Sequence, residues 1–253
     1  EPGVLLLESD RPAVPDPELR RNYQVIVGTL QYLCTYTRPD LVFATNQLAK
    51  HMSNPGPVHM QHARRVLRYL KGTASLGITY TQDRPNPNGL LAWADADWCS
   101  CTETRRSYSG YCLMLNGGAL SWKSAQQTAV CTSTMEAEWV SASRCADEVL
   151  WLRRVLADVG HEQTSPTPLM EDNRACRALS ECPITARSRH IDYRVMSLRE
   201  RVADGVVKVF DCPTHDMLAD PLTKNLPHPS FVRHRQVMLG QDPATSPFIQ
   251  ISG

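Results

Sequence analysis

The sequence predicts a mixed α/β sheet preceded by a small helical subdomain, on three observations. Apolar residues recur at helical spacing between residues 23 and 70, broken by Pro and Gly turns. After a linker-like run, Asp83-Arg84-Pro85-Asn86-Pro87-Asn88-Gly89, strand-like segments come first and then alternate with helical ones. A length of 253 residues, 42% hydrophobic and 21% charged, suits two modest units with buried cores.

Residues 1–22 carry Pro2, Pro12, Pro15 and Pro17 among polar residues and read as an extended lead-in. Residues 23–84 form the helical part. Val25, Leu30, Leu33 and Cys34 make one apolar face of its first helix. Arg38-Pro39-Asp40 ends that helix and starts a second, carrying Leu41, Ala44, Leu48 and Met52. Asn54-Pro55-Gly56-Pro57 is a turn, and a third helix follows with His62, Val66, Leu67 and Leu70. That helix also carries Arg64, Arg65, Arg68 and Lys71, either a solvated basic face or a contact to a nucleic-acid backbone.

Residues 88–240 form the sheet-bearing unit, with a tail at 241–253. Strands are expected at 90–95, 108–115 and 119–124, the last two joined through Asn116-Gly117-Gly118, a hairpin signal. These three make an antiparallel meander. A long helix opens after Thr132-Ser133-Thr134 and runs to Val159-Gly160, where Gly160 suits the C′ position. Thr167-Pro168-Leu169-Met170-Glu171-Asp172 reads as a strand and residues 173–179 as the helix after it. Later alternation adds parallel strands.

The formal net charge is only +1, so any nucleic-acid role must rest on local patches. Nine cysteines at irregular spacing do not make a secreted disulfide framework, and a reduced intracellular, cytoplasmic setting is expected. Cys99 and Cys101 lack the second ligand pair of a structural zinc site. No apolar run is long enough for a membrane span, no signal peptide is evident, and a chain starting at Glu1 reads as a piece of something longer.

Four acids stand where elements begin or end: Asp95, Glu138, Asp172 and Asp220. Asp95 and Asp97 share a strand face with Leu91 and Trp93, and periodicity does not choose between them. Ala142, Cys145, Val149, Leu152 and Leu156 continue one helix face from Glu138, whereas Glu136 lies about 200° away and points to solvent. Asp172 lies at the carboxyl-terminal edge of a strand, where open α/β sheets place ligands, although an acid before a helix is also an ordinary N-cap. Asp220 precedes Pro221 and invites the same N-cap reading. If the four converge, their repulsion calls for hard divalent cations, Mg²⁺ or Mn²⁺, and two such ions suit phosphodiester hydrolysis.

Eleven segments, in order, carry a resemblance: Val27-Gly28-Thr29-Leu30-Gln31-Tyr32-Leu33, Thr37-Arg38-Pro39-Asp40, Met52-Ser53-Asn54-Pro55-Gly56-Pro57, Arg68-Tyr69-Leu70-Lys71-Gly72-Thr73, Ala94-Asp95-Ala96-Asp97-Trp98, Ser109-Gly110-Tyr111, Ser121-Trp122-Lys123-Ser124, Ser133-Thr134-Met135-Glu136-Ala137-Glu138, Asp172-Asn173, His190-Ile191-Asp192 and Ala219-Asp220-Pro221-Leu222-Thr223-Lys224. Together they resemble the carboxyl-terminal part of a copia-type LTR retrotransposon Pol polyprotein, the reverse transcriptase tail followed by its ribonuclease H domain. The resemblance implies a ribonuclease H-like five-stranded mixed sheet flanked by helices, with residues 23–84 as a thumb-like connection to the polymerase. It also selects Asp95 over Asp97, and completes a two-metal set with Glu138, Asp172 and Asp220. In that set Asp95 would bridge both ions, Asp220 would help hold the ion that activates water, and Glu138 with Asp172 would hold the ion beside the leaving 3′ oxygen. The implied substrate is the RNA strand of an RNA/DNA hybrid. The implied partners are the remainder of the reverse transcriptase and Pol polyprotein, and the implied setting includes virus-like particles.

Arg105, Arg106, Lys123, Arg187, Arg189 and His190 are the positive groups that would meet the hybrid backbone, and His215 is the candidate for product release. Two features depart from the family pattern: Tyr108 stands where a small hydroxyl residue is usual, and Cys99-Ser100-Cys101 follows the first strand. The chain lacks a Tyr-x-Asp-Asp polymerase motif, a protease Asp-Ser/Thr-Gly and an integrase zinc set. The alternative reading is a catalytically silent or domesticated element-derived domain that binds nucleic acid or a polymerase partner.

Overall fold

The computed structural model describes residues 6–82, 87–180 and 193–241. Three helices come first: α1 (Pro17–Tyr36), α2 (Val42–Ala49) and α3 (Pro57–Gly72). Then follow β1 (Leu91–Asp97), β2 (Tyr108–Leu115), β3 (Gly118–Gln126), α4 (Thr134–Asp158), β4 (Thr167–Glu171), α5 (Arg174–Ser180), α6 (Tyr193–Ala203), β5 (Val207–Asp211) and α7 (His228–Met238). The five strands form one sheet in the order β3-β2-β1-β4-β5. The meander β1-β2-β3 is antiparallel, while β4 runs parallel to both β1 and β5. This is the five-stranded mixed sheet flanked by helices that the ribonuclease H resemblance implies.

Both faces of the sheet are covered, and alternation along β1 shows how. Ala92 and Ala94 face α4 in a core with Tyr111, Leu113, Ala142, Cys145 and Val149. Trp93 faces the other way, into a core with Cys112, Met114 and Met170 that also takes Cys34, Leu41 and Val42 from the helical part and Met238 from α7. The helical part therefore closes one face of the sheet. Hydrogen bonds reinforce that contact: the Trp122 indole donates to Cys34 O at 2.7 Å and the Asn46 amide to Ser124 O at 2.7 Å.

The helical part also has its own core of Tyr23, Val27, Leu30, Leu48, Met60 and Ala63. Two sequence expectations change there. Val25 is exposed, because the buried face of α1 follows 23, 27, 30 and 34. In α3 the buried side is Met60 and Ala63 with Val66 and Leu70 against it, leaving Leu67 exposed.

The lead-in is shorter than expected. Helix α1 starts at Pro17, capped by Asp16, whose Oδ1 accepts from the amides of Glu18 and Leu19. Pro17 breaks nothing, because the first helical position requires no N–H donor. The hairpin signal is realised with positive φ at Asn116 (50°) and Gly117 (85°). No disulfide forms among the described cysteines, and among the described residues no helix is long and apolar enough to cross a membrane. Residues 83–86 of the expected linker and 242–253 of the tail lie outside the described residues.

Candidate active site

Parallel pairing of β1 and β4, with Trp93 opposite Met170, brings the carboxyl ends of both strands to one edge of the sheet. Asp95 comes from β1, and Glu171 and Asp172 from the end of β4. Helix α4 adds Glu138 in its first turns. One turn later the buried Ser141 hydroxyl lies 2.8 Å from Asp95 O and 3.1 Å from Gly110 O, fixing the start of α4 against β1 and β2. Asp95, Glu138 and Asp172 each offer one oxygen within 4.8 Å of the others, a spacing that lets three carboxylates share one hard cation.

Asp220 reaches the same place from a short 3-10 turn, Asp220–Leu222. The turn is pinned to Asp95 by Thr223, whose hydroxyl donates to Asp95 Oδ2 in a short hydrogen bond. Lys224 completes the link, its Nζ 2.8 Å from Asp220 Oδ1 and 3.7 Å from Asp95 Oδ2. The structure thus brings together all four sequence-predicted acids: three with oxygens within 4.8 Å of one another and the fourth joined to Asp95 by one ammonium.

Neither Asp172 nor Asp220 is spent as a helix cap. Asn173 caps α5 instead, its Oδ1 accepting from the amides of Ala175 (3.0 Å) and Cys176 (3.1 Å). Asp172 accepts from the Thr214 hydroxyl at 3.2 Å. Glu136 is half-buried rather than pointing to solvent, because its carboxylate folds back onto the Thr132 amide at 2.6 Å and leaves the cluster to Glu138.

The electrostatics are those of crowded, buried acid. Burial, followed by Glu171, Asp95 and Asp172, pushes the Glu138 carboxyl far above the ordinary range. Burial raises Asp95 and Asp220 as well, with Lys224 opposing the rise at both. Burial alone would lower Lys224, yet Asp95 and Asp220 outweigh it and hold the ammonium protonated. Among the described residues Glu138 Oε2 and Glu171 Oε2 have no hydrogen-bond partner. A buried carboxylate oxygen without a donor requires a proton or a cation, so the donor set suits hard divalent ions.

Glu171, Ser141, Thr223 and Lys224 were not singled out by sequence reasoning. Lys224 had a signal, its position four residues after Asp220 in a turn. Glu171 had none, since its burial follows from long-range strand pairing.

The proposed phosphate contacts are only partly assembled. Arg105 and Arg106 are exposed on the loop between β1 and β2, where Arg105 has a positive φ of 56°. Lys123 is exposed on edge strand β3, opposite Tyr111. Arg187, Arg189 and His190 lie outside the described residues. His215 is exposed, its Nε2 3.3 Å from Asp216, and it adjoins Thr214, which bonds Asp172.

No family model matches the chain. It is 37% identical over 219 residues to the retrovirus-related Pol polyprotein from transposon RE2 of Arabidopsis thaliana, covering 86% of this chain and 15% of that protein. It is 42% identical over 130 residues to the secreted RxLR effector protein 161 of Plasmopara viticola, covering 51% of this chain and 90% of that protein. Among solved structures, the ribonuclease H1 called LC11, isolated from compost, aligns with a TM-score of 0.42 at 12% identity, over 54% of this chain and 93% of that one.

Proposed function

This chain belongs to the retrovirus-related Pol polyproteins of copia-type transposons, spanning about 15% of the length of such a relative, and we propose that it is a ribonuclease H cutting the RNA strand of RNA/DNA hybrids. The observation that carries the proposal is the convergence of Asp95, Glu138 and Asp172 within 4.8 Å, with Asp220 tied to Asp95 through Lys224. On this reading residues 88–240 are the nuclease unit and residues 23–84 the connection to a polymerase.

Asp95 would serve both halves of the site: it offers an oxygen within 4.8 Å of Glu138 and Asp172, and Lys224 links it to Asp220. Asp95, Glu138 and Asp172 would hold one Mg²⁺ or Mn²⁺ ion, and Asp95 with Asp220 the other. Such a pair of ions stabilises the attacking and the leaving oxygen of a phosphodiester hydrolysis. The protein supplies the rigidity: Ser141 and Thr223 hold Asp95 from its backbone and side chain, so the acids need little reorganisation when charge develops. The exposed Arg105, Arg106 and Lys123 offer counter-charge to a phosphate backbone. His215, exposed beside Thr214, is the candidate for helping product leave.

The test is cleavage of an RNA/DNA hybrid in Mg²⁺ by the purified chain, with Asp95→Asn and Glu138→Gln as comparisons. Cleavage by the wild type and a loss of at least about 100-fold in each variant is expected, the scale of removing one preorganised electrostatic group. Equal cleavage by wild type and variants contradicts the assignment. A wild type that binds hybrid without cutting it points to the silent, element-derived domain.

A further inference from the structure

Lys224 is a positive charge placed at the two carboxylates that the proposed function assigns to one ion. Its position is not accidental to a flexible side chain. The Thr223 and Lys224 amides both donate to Asp220 O at 3.1 Å, closing the turn. Thr223 is buried and anchored to Asp95, so the backbone delivers the Lys224 stem to the gap between Asp95 and Asp220. On the other side the turn packs on Gly110, where an added Cβ would come within 2.7 Å of Thr223 Cγ2 and 2.9 Å of Leu222 Cβ.

We propose that Lys224 is a built-in cation of this site: its ammonium bridges Asp95 and Asp220 when no divalent ion is bound, and an ion enters that pair only as Lys224 withdraws. This inference rests on the two-ion reading above and adds an ion-exchange step to it. Two cations cannot share oxygens this closely without strong mutual repulsion. The Lys224 side chain is one-third exposed, whereas Asp95 is buried, so the lysine rather than the aspartate has somewhere to go. Asp95 and Asp220 would otherwise repel one another in the ion-free protein, and Lys224 allows the site to be assembled before metal arrives. Lys224 is accordingly a positioning residue. It acts on the carboxylates and not on the reacting bond.

The experiment is thermal melting of the full chain without nucleic acid, in EDTA and across a MnCl2 titration, for wild type, Lys224→Met and Lys224→Arg. Lys224→Met should melt lower than wild type in EDTA and respond to Mn²⁺ with a midpoint lower by at least roughly tenfold, since the ion no longer displaces a charge. Lys224→Arg keeps a cation and should restore stability in EDTA with a midpoint no lower than wild type. If Lys224→Met does not fold in EDTA, Lys224→Gln is read the same way, and folding rescued by Mn²⁺ supports the proposal. An unchanged or higher midpoint in the Met or Gln variant, beside a wild type that does respond, overturns the role of Lys224 alone. A wild type with no response to Mn²⁺ overturns the ion site itself and this inference with it.

Discussion

Stability and the proposed function oppose one another at Glu138. Its side chain is almost wholly buried, one oxygen lacks a donor among the described residues, and Glu171, Asp95 and Asp172 repel its charge. Gln has the same shape without the charge. Glu138→Gln should therefore raise the melting temperature in EDTA by several degrees, since removing about 1–3 kcal/mol of unfavourable burial shifts a chain of this size by a few degrees per kcal/mol. The same variant should lose most of the Mn²⁺ response. A lower melting temperature with the ion response retained would show that Glu138 is merely structural. The burial of Glu138 was legible in the sequence because the stripe of Ala142, Cys145, Val149, Leu152 and Leu156 fixes which face of α4 is buried. Asp95 was separable from Asp97 only by resemblance. What distinguishes them physically, the Thr223 hydroxyl and the Lys224 ammonium, arrives from 128 and 129 positions along the chain and leaves no trace in local spacing.

The elements that place these residues explain which parts of the sequence could be read. Helix α4 announces itself through Ser133, whose hydroxyl accepts from the Glu136 amide at 3.2 Å, and through Gly160 at a φ of 84°. The start of α1 was missed because Pro17 reads equally as a breaker and as a first helical residue, and the Asp16 cap decides between them. Gly110 shows an element depending on another far away. A methyl group on β2 would press into the Asp220–Lys224 turn. Gly110→Ala should cost about 1–3 kcal/mol, read from chemical denaturation, and weaken the Mn²⁺ response by displacing Asp220. A variant as stable as wild type, with its ion response intact, would mean that the turn moves freely.

The turn after α2 meets α3 at a second buried polar contact. The rings of His51 and His59 stack with centroids 4.0 Å apart, both His51 nitrogens lack partners among the described residues, and His59 Nδ1 accepts from the Gly56 amide. Burial, followed by His59 and Arg11, depresses His51 to about 4, and burial also lowers His59. Arg11, Lys50 and Glu103 face His51, and Asp10, Arg11 and His62 face His59. The unfolded chain protonates His51 near pH 6.5 whereas the folded one resists until about 4. Stability from a neutral buried His51 is therefore full above pH 6.5 and is lost as pH falls toward 4, by on the order of 3 kcal/mol, and His59 acts in the same direction. His51→Gln should flatten that part of the melting temperature profile between pH 7 and 5. A variant whose profile parallels wild type would contradict this account.

For the whole molecule, topology is what turns separate acids into a site. A parallel β1–β4 pair sets two strand ends side by side, Ser141 binds α4 to β1 and β2, and Thr223 binds the turn after β5 to Asp95. The α/β class was legible because strand and helix periods alternate along residues 88–240. The joining of the helical part to the sheet was not, since Cys34, Leu41 and Val42 look like an internal helical core until Trp93 and Met170 are seen against them. Gathered by this topology, the four acids should hold hard divalent ions. Anomalous diffraction from crystals of the chain grown with Mn²⁺ tests it most directly. One manganese peak is expected ligated by Asp95, Glu138 and Asp172, with a second beside Asp220 and the Lys224 ammonium moved away. Crystals saturated with Mn²⁺ but showing no peak at these carboxylates would contradict it.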